Sequence, residues 1–153
     1  MATSADAPLL LCFDGSECAR QAISQAGELF PGRAALVATV WQPAAALGTF
    51  AWSVTMGPVE ELDRMSARAG DETAGEGLAA ARDAGFRAES VAIDAKGPVW
   101  KTIVELARTH DAAVIVMGSR GLSGAESMLL GSVSSRVLHH ADRPVLVIPA
   151  QRA

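Results

Sequence analysis

Ala113-Val114-Ile115-Val116-Met117-Gly118-Ser119-Arg120-Gly121 opens the stretch that decides the fold, and Gly131-Ser132-Val133-Ser134-Ser135 closes it. Ala113 to Met117 is apolar at every position, the mark of a strand covered on both faces. Two residues separate Gly118 from Gly121, and nine more precede Gly131-Ser132. A helix then runs to His140. A glycine at a strand end lets another group approach the backbone closely. Gly131 opens a helix whose first amides, on Ser132, Val133 and Ser134, have no acceptor within the helix. The helix dipole is positive at that end. With short hydroxyl donors on Ser132 and Ser134, the segment reads as a phosphate cradle.

Working outward, the same grammar repeats. Apolar runs rich in Val, Ile and Leu lie at Leu9 to Phe13, Ala35 to Trp41, Ala88 to Ile93 and Val145 to Ile148. Between them stand helical patterns. Asp14-Gly15-Ser16 supplies a turn and an N-cap for Glu17 to Leu29, which Pro31-Gly32 ends. Pro58 to Ala84 is long, and Gly85 suits its C-terminal cap. Gly70, Gly75 and Gly77 lower its propensity, so irregularity is expected there. Pro98 fits the first turn of a helix to about Thr109. The order is βαβαβαβαβ, which implies a single doubly wound α/β domain with a five-stranded parallel sheet and helices on both faces. Gln42 to Gly57 resists assignment. It follows a strand at the carboxyl edge of the sheet and reads equally as a flap over a ligand or a packed loop.

Composition narrows the function. Half of the 153 residues are hydrophobic and a fifth charged, which is globular composition. The net charge is −4, so a sequence-independent nucleic-acid binder is not expected. Pro8 to Phe13 is too short for a signal or membrane segment, and no other stretch spans, so a cytoplasmic protein without membrane partners is expected. Cys12 and Cys18 make no disulfide framework and read as small buried hydrophobes. Gly75-Glu76-Gly77-Leu78-Ala79-Ala80 fits a dinucleotide fingerprint, but no strand precedes it. No G-x-x-x-x-G-K-[S/T] occurs, which excludes a P-loop NTPase. His110, His139 and His140 lack metal-ligand spacing; the last two suit a helix C-terminus.

The G-x2-G-x9-G-S spacing, Asp14 after the first strand and the closing Arg143-Pro144-Val145-Leu146-Val147-Ile148-Pro149 together resemble the universal stress protein family, its ATP-binding branch in particular. The similarity covers essentially the whole chain. It implies strand order 3-2-1-4-5, as in adenine nucleotide alpha-hydrolase-like folds, and a site for ATP, or AMP or ADP, with Mg2+. Residue by residue, it implies that Asp14 contacts the nucleoside or helps place the metal, and that the backbone of Val40 recognises adenine. Met117 and Gly118 stand beside the ribose, and Arg120 and Gly121 near the phosphates. Gly131, Ser132, Val133 and Ser134 form the phosphate-binding helix start. Family members usually carry small or β-branched residues where Cys12 and Phe13 stand; one of these two faces the core and the other the nucleoside.

An apolar, uncharged final strand at a sheet edge invites pairing with a copy of itself. The resemblance implies the same, a homodimer through Val145 to Ile148. The leading expectation is a nucleotide-dependent regulatory protein of the stress-response type, with an unidentified protein partner. Hydrolysis is expected to be slow at most, because no general base stands out near the phosphate end. The alternatives are a nucleotide-independent dimeric scaffold and a slow ATPase.

Overall fold

The computed structural model describes residues 6–43, 58–122 and 130–151. Its nine elements are β1 (Leu9–Cys12), α1 (Glu17–Leu29), β2 (Ala34–Trp41), α2 (Val59–Asp83), β3 (Arg87–Asp94), α3 (Val99–Thr109), β4 (Val114–Gly118), α4 (Ser132–His140) and β5 (Val145–Ile148). The strands form one sheet in the order β3-β2-β1-β4-β5, with every pairing parallel. The expected alternation and strand order therefore hold. All of segment 42–57 except Gln42 and Pro43 lies outside the described residues.

Leu9, Leu10 and Leu11 are each 0–1% exposed, because β1 is central and covered on both sides. Leu9 and Leu11 pack with α1 residues Ala22, Ile23 and Ala26 and with Ala81 of α2. Leu10 packs with Ile103 and Ala107 of α3 and Val137 of α4. Thus α1 and α2 cover one face, and α3 and α4 the other. The connection out of β1 goes to one face and that out of β4 to the opposite face. A crevice must open between the carboxyl ends of these two neighbouring strands, at the reversal of strand order.

Local chemistry fixes the helix ends. Ser16 caps α1, its Oγ accepting from the Ala19 amide at 3.2 Å. At the end of α2, Gly85 takes φ +90°, the Gly85 amide bonds the Arg82 carbonyl and the Phe86 amide the Ala81 carbonyl. This is a Schellman closure, which favours glycine at that position. Asp111, at φ 48°, makes the same closure after α3, its amide bonding Arg108 and the Ala112 amide bonding Ala107.

One expectation is corrected. Helix α2 is continuous through Gly70, Gly75 and Gly77. A Cβ at Gly70 would lie 2.7 Å from Trp41 Cδ1, and one at Gly77 would lie 2.6 Å from Phe13 Cδ1. These two glycines let α2 lie close on large side chains of the sheet, and the packing outweighs their low propensity. Gly75 meets nothing within 4 Å. Gly75→Ala is therefore expected to stabilise by about 0.5–1 kcal/mol through helix propensity. Gly77→Ala is expected to destabilise by about 1–3 kcal/mol through overpacking. Urea unfolding of the two variants beside the parent checks the opposite signs.

Candidate functional site

A cavity of about 250 Å³ occupies the crevice between β1 and β4. This is near the small end of the usual ligand-pocket range, roughly 300–1,000 Å³. All ten residues expected from the sequence line it: Asp14, Val40, Met117, Gly118, Arg120, Gly121, Gly131, Ser132, Val133 and Ser134. Sequence reading missed an apolar wall of Ala38, Val99 and Ile103. Val99 and Ile103, four apart on α3, carry only the spacing of any core-facing helix stripe.

The end of the cavity expected to take phosphate is the start of α4. Gly131 is the N-cap, and among the described residues no side chain caps the helix. The Ser135 amide takes the Gly131 carbonyl at 2.9 Å, the first bond of the helix. The amides of Ser132, Val133 and Ser134 precede that bond and have no acceptor within the helix. Ser132 is exposed, Val133 half-buried and Ser134 buried. The Ser134 hydroxyl does not point its proton at the cavity: it donates to the Gly118 carbonyl at 2.9 Å. The expected role of that hydroxyl as a ligand donor is corrected accordingly. Its backbone amide is unaffected.

The glycines divide their work differently from expectation. A Cβ at Gly118 would lie 2.6 Å from Cys18 Sγ and 3.1 Å from the Cys18 carbonyl oxygen. Gly118 therefore lets α1 lie against the end of β4, and it lines the cavity as well. A Cβ at Gly121 would lie 2.7 Å from Asp14 Oδ2. The Asp14 carboxylate thus rests on the bare Cα of Gly121 and spans the crevice from the β1 side. Its other oxygen, Oδ1, accepts the Ser16 amide at 2.9 Å. The turn-capping and cavity-lining readings of Asp14 hold together. Arg120 is half-buried at the cavity and forms no ion pair among the described residues.

At the other end, β1 stops at Cys12, opposite Ala38. The Phe13 amide bonds the Ala38 carbonyl at 2.9 Å, the last backbone-to-backbone bond between the two segments among the described residues. Val40 lies two residues further along β2. By strand alternation its amide and carbonyl point to the same side as those of Ala38, where β1 has ended. The Trp41 carbonyl points the other way and accepts the Ala95 amide at 2.8 Å. The backbone of Val40 is thereby aimed at the crevice.

The pair Cys12 and Phe13 sorts as the alternation requires. Phe13 is 2% exposed and packs on the α1 and α2 side, with the Arg20 guanidinium 5.3 Å from its ring centre. Phe13 is among the residues lining the cavity, and its ring is seated over Gly77. Cys12 packs with the α3 and α4 side and lines the cavity. Burial first, and then the nearby Asp14 charge, push its thiol up to about 12. The side chain is a neutral, weakly polar wall at physiological pH. His139 and His140 sit in the last turn of α4, away from the site, with His140 stacked at 4.2 Å on Trp100. Among the described residues no group of three His, Cys, Asp or Glu is arranged to hold a metal, and no helix is long and apolar enough to cross a membrane.

Fold and cavity together define a doubly wound α/β protein with a ligand crevice at its strand-order reversal. A profile of the universal stress protein family matches residues 7–149, and the chain belongs to that family. It is 42% identical to universal stress protein Sll1388 of Synechocystis over 52 residues, 34% of each chain. The matched stretch thus spans about a third of that relative's length. The structure of MJ0577 from Methanocaldococcus jannaschii is similar with a TM-score of 0.79 at 20% identity, over 97% of this chain and 99% of that one. A universal stress protein of Archaeoglobus fulgidus, solved in complex with dAMP, is similar with a TM-score of 0.63 at 21% identity, over 92% of this chain and 95% of that one.

Two outcomes follow from this geometry. Ser134→Ala leaves the buried Gly118 carbonyl without that donor and is expected to cost about 1–3 kcal/mol of stability in urea unfolding. Cys12 should resist iodoacetamide in the native protein at pH 8, where its thiol is protonated, and react once the chain is unfolded in urea. Peptide mapping after labelling reads both states.

Proposed function

We propose that the protein is a nucleotide-dependent regulatory member of its family that holds ATP, or AMP or ADP, in the crevice between β1 and β4. One observation carries the reading. The amides of Ser132, Val133 and Ser134, which have no acceptor within the helix, belong to residues lining the same cavity as an apolar wall and Val40. Such a cavity suits a ligand with an anionic tail and a flat, apolar-faced head. The head lies between Cys12, Val40, Val99 and Ile103, and the base edge meets the backbone of Val40. The ribose stands near Met117 and Gly118. The tail takes the amides of α4 and the guanidinium of Arg120, which is able to grip phosphate through two donors. The dAMP complex of the Archaeoglobus relative supports an adenine nucleotide.

Asp14 is the one carboxylate among the described residues lining the cavity. Mg2+ is commonly held by one or two carboxylates together with the phosphates of its nucleotide. The donor set fits an ion carried in on the nucleotide, with Asp14 as its protein-side neighbour, and it supplies charge neutralisation at the tail. No His or second carboxylate among the described lining residues stands ready to deprotonate water. Slow or absent hydrolysis is the consequence, and the nucleotide is a signal rather than a substrate.

Among the described residues, the outer edge of β5 has no strand partner in the sheet. Its residues Val145, Leu146 and Val147 are half-buried and uncharged. That edge is where a second copy would pair to make a homodimer, leaving other surfaces to a protein partner in the cytoplasm.

Thermal unfolding with and without ATP and MgCl2 tests the reading. At a ligand concentration a hundred times Kd, binding to the folded state alone adds about 2.7 kcal/mol, a shift of several degrees. Chromatography of the acid-denatured protein should also release an adenine nucleotide. No shift with ATP, ADP or AMP, and no released nucleotide, would sink it.

A further inference from the structure

We infer that Ser119 is a positioning residue that couples the phosphate end of the crevice to the chain leaving β5. It deepens the nucleotide reading above and rests on it. Ser119 is 5% exposed and sits between the last residue of β4 and Arg120. Its three polar groups reach three places. Its amide donates to the Ile148 carbonyl at 2.8 Å. Its hydroxyl oxygen accepts the Ala150 amide at 3.1 Å. Its carbonyl accepts the Gly131 amide at 2.6 Å. Gly131 is the N-cap of α4, so this last bond fixes where the free amides of Ser132, Val133 and Ser134 begin. Beside it, the Ser134 hydroxyl bonds the Gly118 carbonyl at 2.9 Å and fixes the same helix turn in rotation. A Cβ at Gly131 would stand 3.3 Å from the Ser119 oxygen, so helix and loop are already in close contact.

The peptide of Ser119 is therefore shared. One side holds the start of α4, and the other holds Ile148 to Ala150. A phosphate on α4 orders the helix start and, through the Gly131 bond, the Ser119 peptide. That ordering extends to the Ala150 amide through the Ser119 hydroxyl. Coupling of this kind is reciprocal: whatever loosens the Ala150 bond leaves the cradle less pre-organised and weakens nucleotide binding. Ser119 itself does not line the cavity, so a change in nucleotide affinity on its substitution acts through α4.

Ser119→Ala removes the hydroxyl acceptor and keeps both backbone bonds. Ala150→Pro removes the donor of the same bond from a residue outside the cavity. The experiment measures ATP affinity with MgCl2 by calorimetry for parent, both single variants and the double variant. Amide hydrogen exchange at Ala150 is followed in parent and Ser119→Ala, with and without ATP. A net hydrogen bond is worth about 0.5–1.5 kcal/mol, so each single variant should weaken ATP binding two- to tenfold. The double variant should be no weaker than the singles, because one bond is lost in each case. ATP should slow exchange at Ala150 in the parent and leave it unchanged in Ser119→Ala. ATP binding to the parent without any change in Ala150 exchange overturns the coupling and leaves the nucleotide reading standing. Additive losses in the double variant, or unchanged affinity in folded single variants, also overturn it. No ATP binding by the parent overturns the nucleotide reading and this inference with it.

Discussion

The burial of β1 on both faces is the constraint on which the rest depends. Three consecutive leucines, Leu9 to Leu11, are removed from solvent, two toward α1 and α2 and one toward α3 and α4. A strand of this kind must be central, and its neighbours must bring helices to both sides. Once β2 and β4 flank it, the chain leaving β1 and the chain leaving β4 diverge to opposite faces. The crevice is what that divergence leaves behind. The hydrophobic requirement of one strand thus fixes the location of the polar site, without any polar residue choosing it.

Within the crevice, backbone groups carry most of the chemistry, and side chains hold the backbone in place. The amides of α4 face the cavity because Gly131 is tied to Ser119 and Ser134 to Gly118. The Val40 backbone is open because β1 ends two residues short of it. Asp14 bridges the first turn and Gly121. Buried polar groups in such a network are costly when unpaired, so each buried hydroxyl is spent on a carbonyl or an amide. Ser134 and Thr39 both follow this rule, Thr39 donating to the Phe13 carbonyl at 2.9 Å.

Element order and the parallel sheet were legible because punctuation agreed with periodicity, and the strand order from the family resemblance. Pro58, Pro98 and Pro144 stand at element starts, Gly85 stands just past α2, and β1, β4 and β5 are unbroken apolar runs. The residues around the cavity were legible from glycine spacing and from family resemblance. What each glycine and hydroxyl does there was not. Gly118 serves Cys18, and Gly70 serves Trp41, across distances in sequence that no local pattern encodes. Propensity marked Gly77 as a weak point of a helix, yet its partner Phe13 makes it the place where the helix seats. Ser119 carries no signal beyond its place between two motif positions, and Val99 and Ile103 look like any core stripe. Legibility ended where function turned on which of two neighbouring atoms a side chain faces.

Charge sharpens the point. The chain carries a net −4, and the described lining of the cavity holds one acidic and one basic side chain, Asp14 and Arg120. A net negative charge gives the chain no overall attraction for an anion. In the nucleotide reading proposed above, selectivity for a phosphate-bearing ligand has to arise at short range, from amides whose dipoles are aligned before the ligand arrives. A cradle made of aligned amides is only as good as the alignment. That is why the bonds that fix the start of α4 matter more than any single charge, and why a serine outside the cavity belongs to the machinery of the site.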